Sequence, residues 1–587
     1  MHSSPNRQFR RHPWRAVITT LGVAALTACT GTASQSESDA DTVESRAEIR
    51  LEDAVVLVPA PEPVSPAQRK RIQKAARQAP SLGEVASSGT LLSQVAAMNA
   101  FATESEDRER YAKISDHGIK VVSDDPVSTF SIDVDTGAYS NVRRFLTDGA
   151  LPPGDAVRVE ELINYFSYQY ELPEAGDGPF SVATQVAATP WNPDTLLMQI
   201  GIKGLEIDAD ERPASNLVFL IDVSGSMHSP DKLPLLKDAF TMLTNNLNDH
   251  DRVSLVVYAG ASGVVLPPTA GDDAQRIANA LAQLRAGGST NGESGIRLAY
   301  QTARDAFIEG GINRVVLATD GDFNVGIANV EHLIDLVERE RETGVSLTTL
   351  GFGSGNYNDE LMERIADAGN GNYAYIDSIN EARKVLVDEI GSTLHTIAKD
   401  VKIQVEFNPA QIAEYRLIGY ENRALNREDF NNDKIDAGEI GAGHTVTALY
   451  EITPTDSPAK RVDPLRYGQV AATTDSSDEL AYVRLRYKAP GGDTSELIEQ
   501  PVARAQILAP RDTSADFRFA AAVAAFGQQL RGAKHLERYS FDETLALAGG
   551  SLGTDRHGYR DEFLTLVERA RDLSAPGQAV NQQAVTR

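Results

Sequence analysis

Asn216-Leu-Val-Phe-Leu-Ile-Asp-Val-Ser-Gly-Ser-Met227 decides how the chain is read. Leu217 to Ile221 is an unbroken apolar run, the pattern of a short strand buried on both faces of a parallel sheet. The run stops at Asp222, and Ser224, Gly225 and Ser226 then form a tight polar turn ahead of a helical pattern. In open α/β sheets ligands bind outside the carboxyl ends of the strands, which is where this turn falls. One carboxylate and two hydroxyls at alternate positions are hard oxygen donors, suited to Mg²⁺ or Ca²⁺ and poorly suited to soft metals.

Two later stretches supply matching chemistry. Arg314-Val-Val-Leu-Ala-Thr-Asp-Gly321 is another buried strand ending in a carboxylate, Asp320. Between the two strands, Gly287-Gly-Ser-Thr-Asn-Gly292 is a Gly-rich loop that opens a helix and offers Thr290. Asp222, Ser224, Ser226, Thr290 and Asp320 together resemble the metal-ion-dependent adhesion site of von Willebrand factor type A domains, complete and in the family's order. One DxSxS motif is common by chance; the three-part constellation is not. The resemblance implies that these residues hold Mg²⁺, or another hard divalent cation such as Ca²⁺ or Mn²⁺. It also implies that a partner's carboxylate fills the remaining coordination position.

Around this site the pattern alternates. Strands are expected at 217–221, 253–258, 315–319, 346–351 and 373–376, and helices at 233–247, 274–284, 295–307, 330–341, 360–368 and 381–394. That alternation implies a doubly wound, mostly parallel α/β sheet with helices on both faces, Rossmann-like in outline. Asp222, Thr290 and Asp320 would then come from loops at one edge and converge on one cation.

The rest of the chain bounds the setting. At 587 residues it exceeds a single core, and a net charge of −27 excludes nucleic acid and anionic lipid surfaces as partners. Its one cysteine, Cys29, leaves no possibility of an intramolecular disulfide. Arg7, Arg10, Arg11 and Arg15 precede an apolar stretch, Ala16 to Leu26, that is too short to span a bilayer. It ends in Leu26-Thr-Ala-Cys29, which resembles a bacterial lipobox and implies cleavage before Cys29 and lipidation of that residue. Thr30, not Asp, follows the cysteine, a pattern similar to outer-membrane sorting. The expected location is the cell envelope, lipid-anchored, at the periplasmic face of the outer membrane in a Gram-negative cell.

The expected organisation is a signal peptide at 1–28 and a lipidated, largely disordered tether at 29–125, with short helices at 69–77 and 91–101. An N-terminal α+β region follows at 126–213, then the von Willebrand factor type A domain at 214–395. A β-rich region at 396–510, a helical region at 511–575 and a disordered tail at 576–587 complete it. Asp148-Gly-Ala-Leu-Pro-Pro153, Arg158-Val-Glu-Glu-Leu-Ile-Asn-Tyr-Phe166, the 429–445 stretch and the C-terminal region resemble bacterial lipoproteins that carry such a domain.

Two other motifs compete for attention. Asp133-Val-Asp-Thr136 fits the DxDxT nucleophile motif of haloacid-dehalogenase-type phosphatases, but the parallel-sheet pattern belongs to the other site. Asp429-Phe-Asn-Asn-Asp-Lys-Ile-Asp-Ala-Gly-Glu-Ile440 opens like an EF-hand loop, with Asp429, Asn431 and Asp433 at alternate positions. It lacks the sixth-position glycine and the twelfth-position glutamate, and reads as a solvated acidic turn. The leading reading is therefore a non-enzymatic binding module of the envelope. One alternative is a metal-dependent hydrolase or phosphatase, for which Glu293 and Asp322 are the nearest candidate bases in sequence. Another is a structural envelope protein with an unused metal site.

Overall fold

The computed structural model describes residues 109–575, except 175, 177, 208–211, 322–329, 356 and 464–477. The expected signal peptide, Cys29, the first part of the expected tether with its two expected helices, Asp322, and the expected tail at 576–587 lie outside the described residues. Before the quoted stretch come β1 (Lys120–Val121), β2 (Val127–Ser131), β3 (Phe180–Thr189) and β4 (Asn192–Gly204). The central strands are β5 (Ser215–Asp222), β6 (Arg252–Tyr258), β7 (Ser262–Ala270), β8 (Ile312–Thr319), β9 (Ser346–Phe352) and β10 (Tyr373–Ile376). After them come β11 (Thr396–Phe407), β12 (Ile412–Ile418), β13 (Gly438–Gly441), β14 (Thr445–Pro454), β15 (Glu479–Lys488), β16 (Ser495–Ala503) and β17 (Ile507–Leu508).

The central strands form one sheet in the order β10-β9-β8-β5-β6-β7. Every pairing is parallel except that of β7 with β6. Strand β5 is buried along its whole length. Its Leu217, Phe219 and Ile221 pack into one helical layer, and Val218 and Leu220 into the other. This is the doubly wound arrangement that the apolar runs imply. Strand β7 is an addition to the expected set. It contains Pro267 and Pro268, which cannot donate to a ladder, and an edge position tolerates that loss.

The flanking regions, expected as consecutive units at 126–213 and 396–510, share their sheets. Strand β4 pairs with β14 from Lys203–Thr445 to Leu196–Ile452, and β2 pairs with β11. Strand β17 lies parallel to β3. The chain thus begins a β-sandwich, makes the α/β domain, and returns to complete the sandwich. Met198, Ile200 and Tyr450 of one sheet share an apolar core with Phe130, Val405 and Leu485 of the other. The outer face of the β4–β14 sheet is covered by helices 159–164, 515–530 and 559–574, through Leu162, Leu197, Leu449, Phe519 and Phe563. Order also begins before Pro126: Lys120 and Val121 pair with Tyr415 and Glu414, and Arg110 bridges to Asn358. Backbone pairing needs no apolar pattern, so composition did not reveal it. Among the described residues no helix is long and apolar enough to cross a membrane.

Three arginines join these parts. Arg158, 1 % exposed, donates to Glu161 and to both carboxylate oxygens of Asp359. Arg423 donates to Asp133 and Asp135 of the N-terminal flank and to Glu363 and Asp367 of the α/β domain. Arg143 donates to Asp377 and Glu381 of the α/β domain and to Glu562 of the last helix. Each guanidinium therefore bridges at least two of the regions defined by the strand pairing. Removing one side of such a buried pair strands the other charge, at about 3–5 kcal/mol. Arg423→Ala should lower unfolding free energy in urea by about that amount, whereas Arg427→Ala, on the exposed surface, should change it by less than about 0.5 kcal/mol. Equal midpoints for the two variants would show that the carboxylates do not depend on Arg423.

Candidate functional site

Asp222 is the last residue of β5, and Asp320 directly follows β8. The strands are neighbours, with Ile221 opposite Ala318, so Asp222 and Asp320 fall within one residue of each other in register at the carboxyl edge of the sheet. Both are fully buried. Asp222 Oδ1 accepts the Ser224 backbone N–H at 2.8 Å, which curls the chain into its turn. Its Oδ2 accepts the Thr319 hydroxyl at 3.0 Å. Ser224 Oγ and Ser226 Oγ lie 2.9 Å apart. Ser224 is buried and Ser226 is exposed, so the pair runs from the interior to the surface.

The Gly-rich loop is stitched to this turn by backbone. Gly225 N–H donates to Gly288 O at 3.1 Å, and Gly287 N–H to Val223 O at 2.7 Å. Gly288 has φ +90°, a conformation that favours glycine and lets the loop come this close. Thr290, buried, then precedes Asn291, whose side chain caps the helix Gly292–Asp305 by accepting from Ser294 N–H. On the far side Gly321, with φ +81°, leaves no room for a Cβ: one would lie 2.7 Å from Asn358 N. All five expected residues thus sit on three loops at one sheet edge. The donor set is carboxylate and hydroxyl oxygen throughout, the chemistry of a hard divalent cation.

Sequence reading missed two contributors. Lys232 donates from Nζ to Asp320 Oδ2 at 3.0 Å and is itself buried. Thr319 braces Asp222 as described. Neither has a local signal, because a lysine in a polar turn and a threonine in a strand are ordinary residues. Of the candidate bases, Glu293 accepts two hydrogen bonds from Arg297 at 3.0 and 2.8 Å, and Asp322 is outside the described residues.

The competing motifs resolve differently. Asp133 and Asp135 are held by Arg423, and Tyr373 N–H donates to Asp135 at 2.8 Å. Ligand oxygens of Asp133, Glu161 and Glu363 lie within 4.8 Å of one another. Two guanidiniums already serve them, so this cluster is an ion-pair hub. In the acidic turn, Asp433 accepts from Arg486 at 2.9 Å and from Ser495 at 2.6 Å, and Asp429 accepts the Asn426 backbone N–H at 3.0 Å.

The central sheet with its three loops is a von Willebrand factor type A domain, and residues 216–388 match the family model of that description. Residues 105–199 match the model described as von Willebrand factor, and residues 392–573 the model described as Uncharacterized protein YfbK, C-terminal. The chain belongs to the YfbK family: it is 48 % identical over 469 residues to Uncharacterized protein YfbK of Escherichia coli (strain K12), spanning 78 % of this chain and 81 % of that one. Inter-alpha-trypsin inhibitor heavy chain H4 of Homo sapiens is 29 % identical over 146 residues, 24 % of this chain and 16 % of the relative. The solved structure of von Willebrand factor type A from Catenulispora acidiphila is 16 % identical, covers 68 % of this chain and 91 % of its own, and gives a TM-score of 0.38. Proteins with this domain are generally interaction proteins without enzymatic activity, and the domain often binds a divalent metal.

Burial lifts the Asp222 carboxyl to about 6; hydrogen bonds from Ser224 and Thr319 oppose the lift and the charge of Asp320 adds to it. The native value lies above the unfolded one. Its stabilising contribution is therefore complete below about pH 4 and is lost as pH rises through about 6. With chelator present, Asp222→Asn should raise stability at pH 7.5 by about 1–3 kcal/mol and flatten the decline between pH 4 and 7. Thermal melts across that range check it; a variant less stable than wild type at pH 7.5 would show that the carboxylate is not a burden on the native state.

Proposed function

We propose that this chain is an envelope lipoprotein that captures a partner through a divalent cation held by Asp222, Ser224, Ser226, Thr290 and Asp320. The observation that carries the reading is the placement of these five oxygen-bearing residues at one sheet edge, with the Ser224 turn and the Gly-rich loop joined by backbone hydrogen bonds. Mg²⁺ suits the donors, with Mn²⁺ or Ca²⁺ as alternates, and a carboxylate presented by the partner completes the coordination. The partner is a protein or another envelope ligand carrying that carboxylate, and nucleic acid is not among the candidates. A binding role fits better than hydrolysis, because Glu293 is engaged by Arg297.

Capture from envelope extract with Mg²⁺ against chelator tests the reading. Asp222→Ala or Asp320→Ala should abolish Mg²⁺-dependent capture, whereas Thr290→Ala should weaken it less, because water replaces a neutral oxygen more readily than an anionic one. Equal capture by wild type and Asp222→Ala, with and without chelator, would show that the metal is not the contact.

The anchor is the second part of the proposal. Lipidation at Cys29 places the chain on the membrane, at the periplasmic face of the outer membrane in a Gram-negative cell. Labelling with a palmitate analogue should mark the wild type and fail on Cys29→Ser, which should also move to the soluble fraction. A soluble, unlabelled wild type would overturn it.

A further inference from the structure

We infer that a small cavity, where the segment before β1 meets the turn after helix 515–530, is a binding site for one inorganic anion of halide size. This does not depend on the metal-site reading. The cavity measures about 20 Å³, room for a single water-sized or halide-sized particle. Its wall includes Asp116 and His117 of the segment, Arg416 of β12, Glu421 just beyond β12, and Arg531, Lys534 and His535 of the turn.

His535, 9 % exposed, carries the argument. Its Nδ1 lies 3.4 Å from Arg461 Nη1. A guanidinium only donates, so Nδ1 accepts and the hydrogen of the neutral ring sits on Nε2. That Nε2–H is buried and meets no acceptor among the described residues, and the buried Nε2 of His117 in the same wall has no partner either. A buried donor left unmet is costly, so the position calls for an acceptor. The acidic and amide side chains around it are already engaged. Arg531 donates to both Asp116 and Glu421, and Arg416 donates to Glu451 at 2.8 Å and to Gln528 Oε1 at 3.0 Å. Burial holds the His535 ring down to about 4, and the three strongest charges acting on it, Arg416, Arg461 and Lys534, are all positive, with Glu451 opposing. Glu160 lies behind Gly419 of the wall, where an added Cβ would lie 2.7 Å from its Oε2. Burial and Glu421 push that carboxyl up to about 8, so near neutral pH it is mostly the uncharged acid. Water would answer the imidazole donor alone; an anion answers both the donor and the positive field around it.

The test melts the full chain in detergent, with chelator present, in chloride, bromide or methanesulfonate at one ionic strength. Methanesulfonate is too large for the cavity. Wild type should melt about 2 °C higher in chloride or bromide than in methanesulfonate, because an anion bound only by the native state stabilises it by mass action. His535→Leu should lose that difference, whereas His535→Gln, which keeps a side-chain N–H near the place of Nε2, should retain most of it. If His535→Leu does not fold, Lys534→Met, at an exposed residue, takes its place and should shrink the difference at least twofold. Equal wild-type midpoints in chloride and methanesulfonate would mean a cavity that holds water only, and would overturn the inference. An undiminished difference in folded His535→Leu, or in Lys534→Met where that variant replaces it, would mark a general salt effect and overturn it as well.

Discussion

Buried guanidinium–carboxylate contacts are the constraint on which the rest of the molecule depends. Arg158 reaches from the N-terminal flank into the α/β domain and takes both oxygens of Asp359, the first residue of the helix Asp359–Ala368. The residue before it, Asn358, lies against Gly321, which directly follows Asp320. One short segment thus fixes the docking of the flank and one wall of the candidate site. Tyr373 strengthens the junction, donating from its hydroxyl to Asp359 at 2.6 Å and from its backbone to Asp135 at 2.8 Å. Charges this deep are tolerated only when matched and hydrogen-bonded, so the flanks and the domain hold each other in one geometry.

That mutual dependence explains what was legible in the sequence. The central sheet could be read because parallel strands buried on both faces are apolar runs, as in Leu217–Ile221 and Val315–Ala318. The position of Asp222 and Asp320 at the sheet edge could be read because residues that follow strand ends fall at a predictable edge. The sandwich could not. The alternation of β4 and β14 identifies two strands without saying that they pair with each other across the intervening α/β domain. Lys232 was hidden for a related reason: in a turn beginning Ser229-Pro-Asp-Lys232 it looks solvated, and only the approach of Gly353 from β9's far end buries it.

The two decoy motifs carry the same lesson in chemical terms. Asp133 and Asp135 have the spacing of a phosphatase nucleophile, and Asp429 to Asp433 the opening of a calcium loop. What decides is which donors their oxygens meet. Asp133 accepts the Asp135 backbone N–H and the Arg423 guanidinium, and Asp433 accepts Arg486 and Ser495. Both carboxylates are engaged by an arginine. Spacing identifies a carboxylate; its partners determine its use.

Asp222 differs from them in this respect. The Ser224 backbone N–H and the Thr319 hydroxyl orient the carboxylate without neutralising it. It is as deeply buried as the hub carboxylates, yet among the described residues no guanidinium meets it, and burial lifts its pKa to about 6. At neutral pH the native state therefore holds an anion that a cation would stabilise, beside a second carboxylate and a row of hydroxyls. The hub spends its arginines on cohesion. At the sheet edge Asp320 meets Lys232, while the Asp222 carboxylate is oriented by hydroxyl and backbone donors.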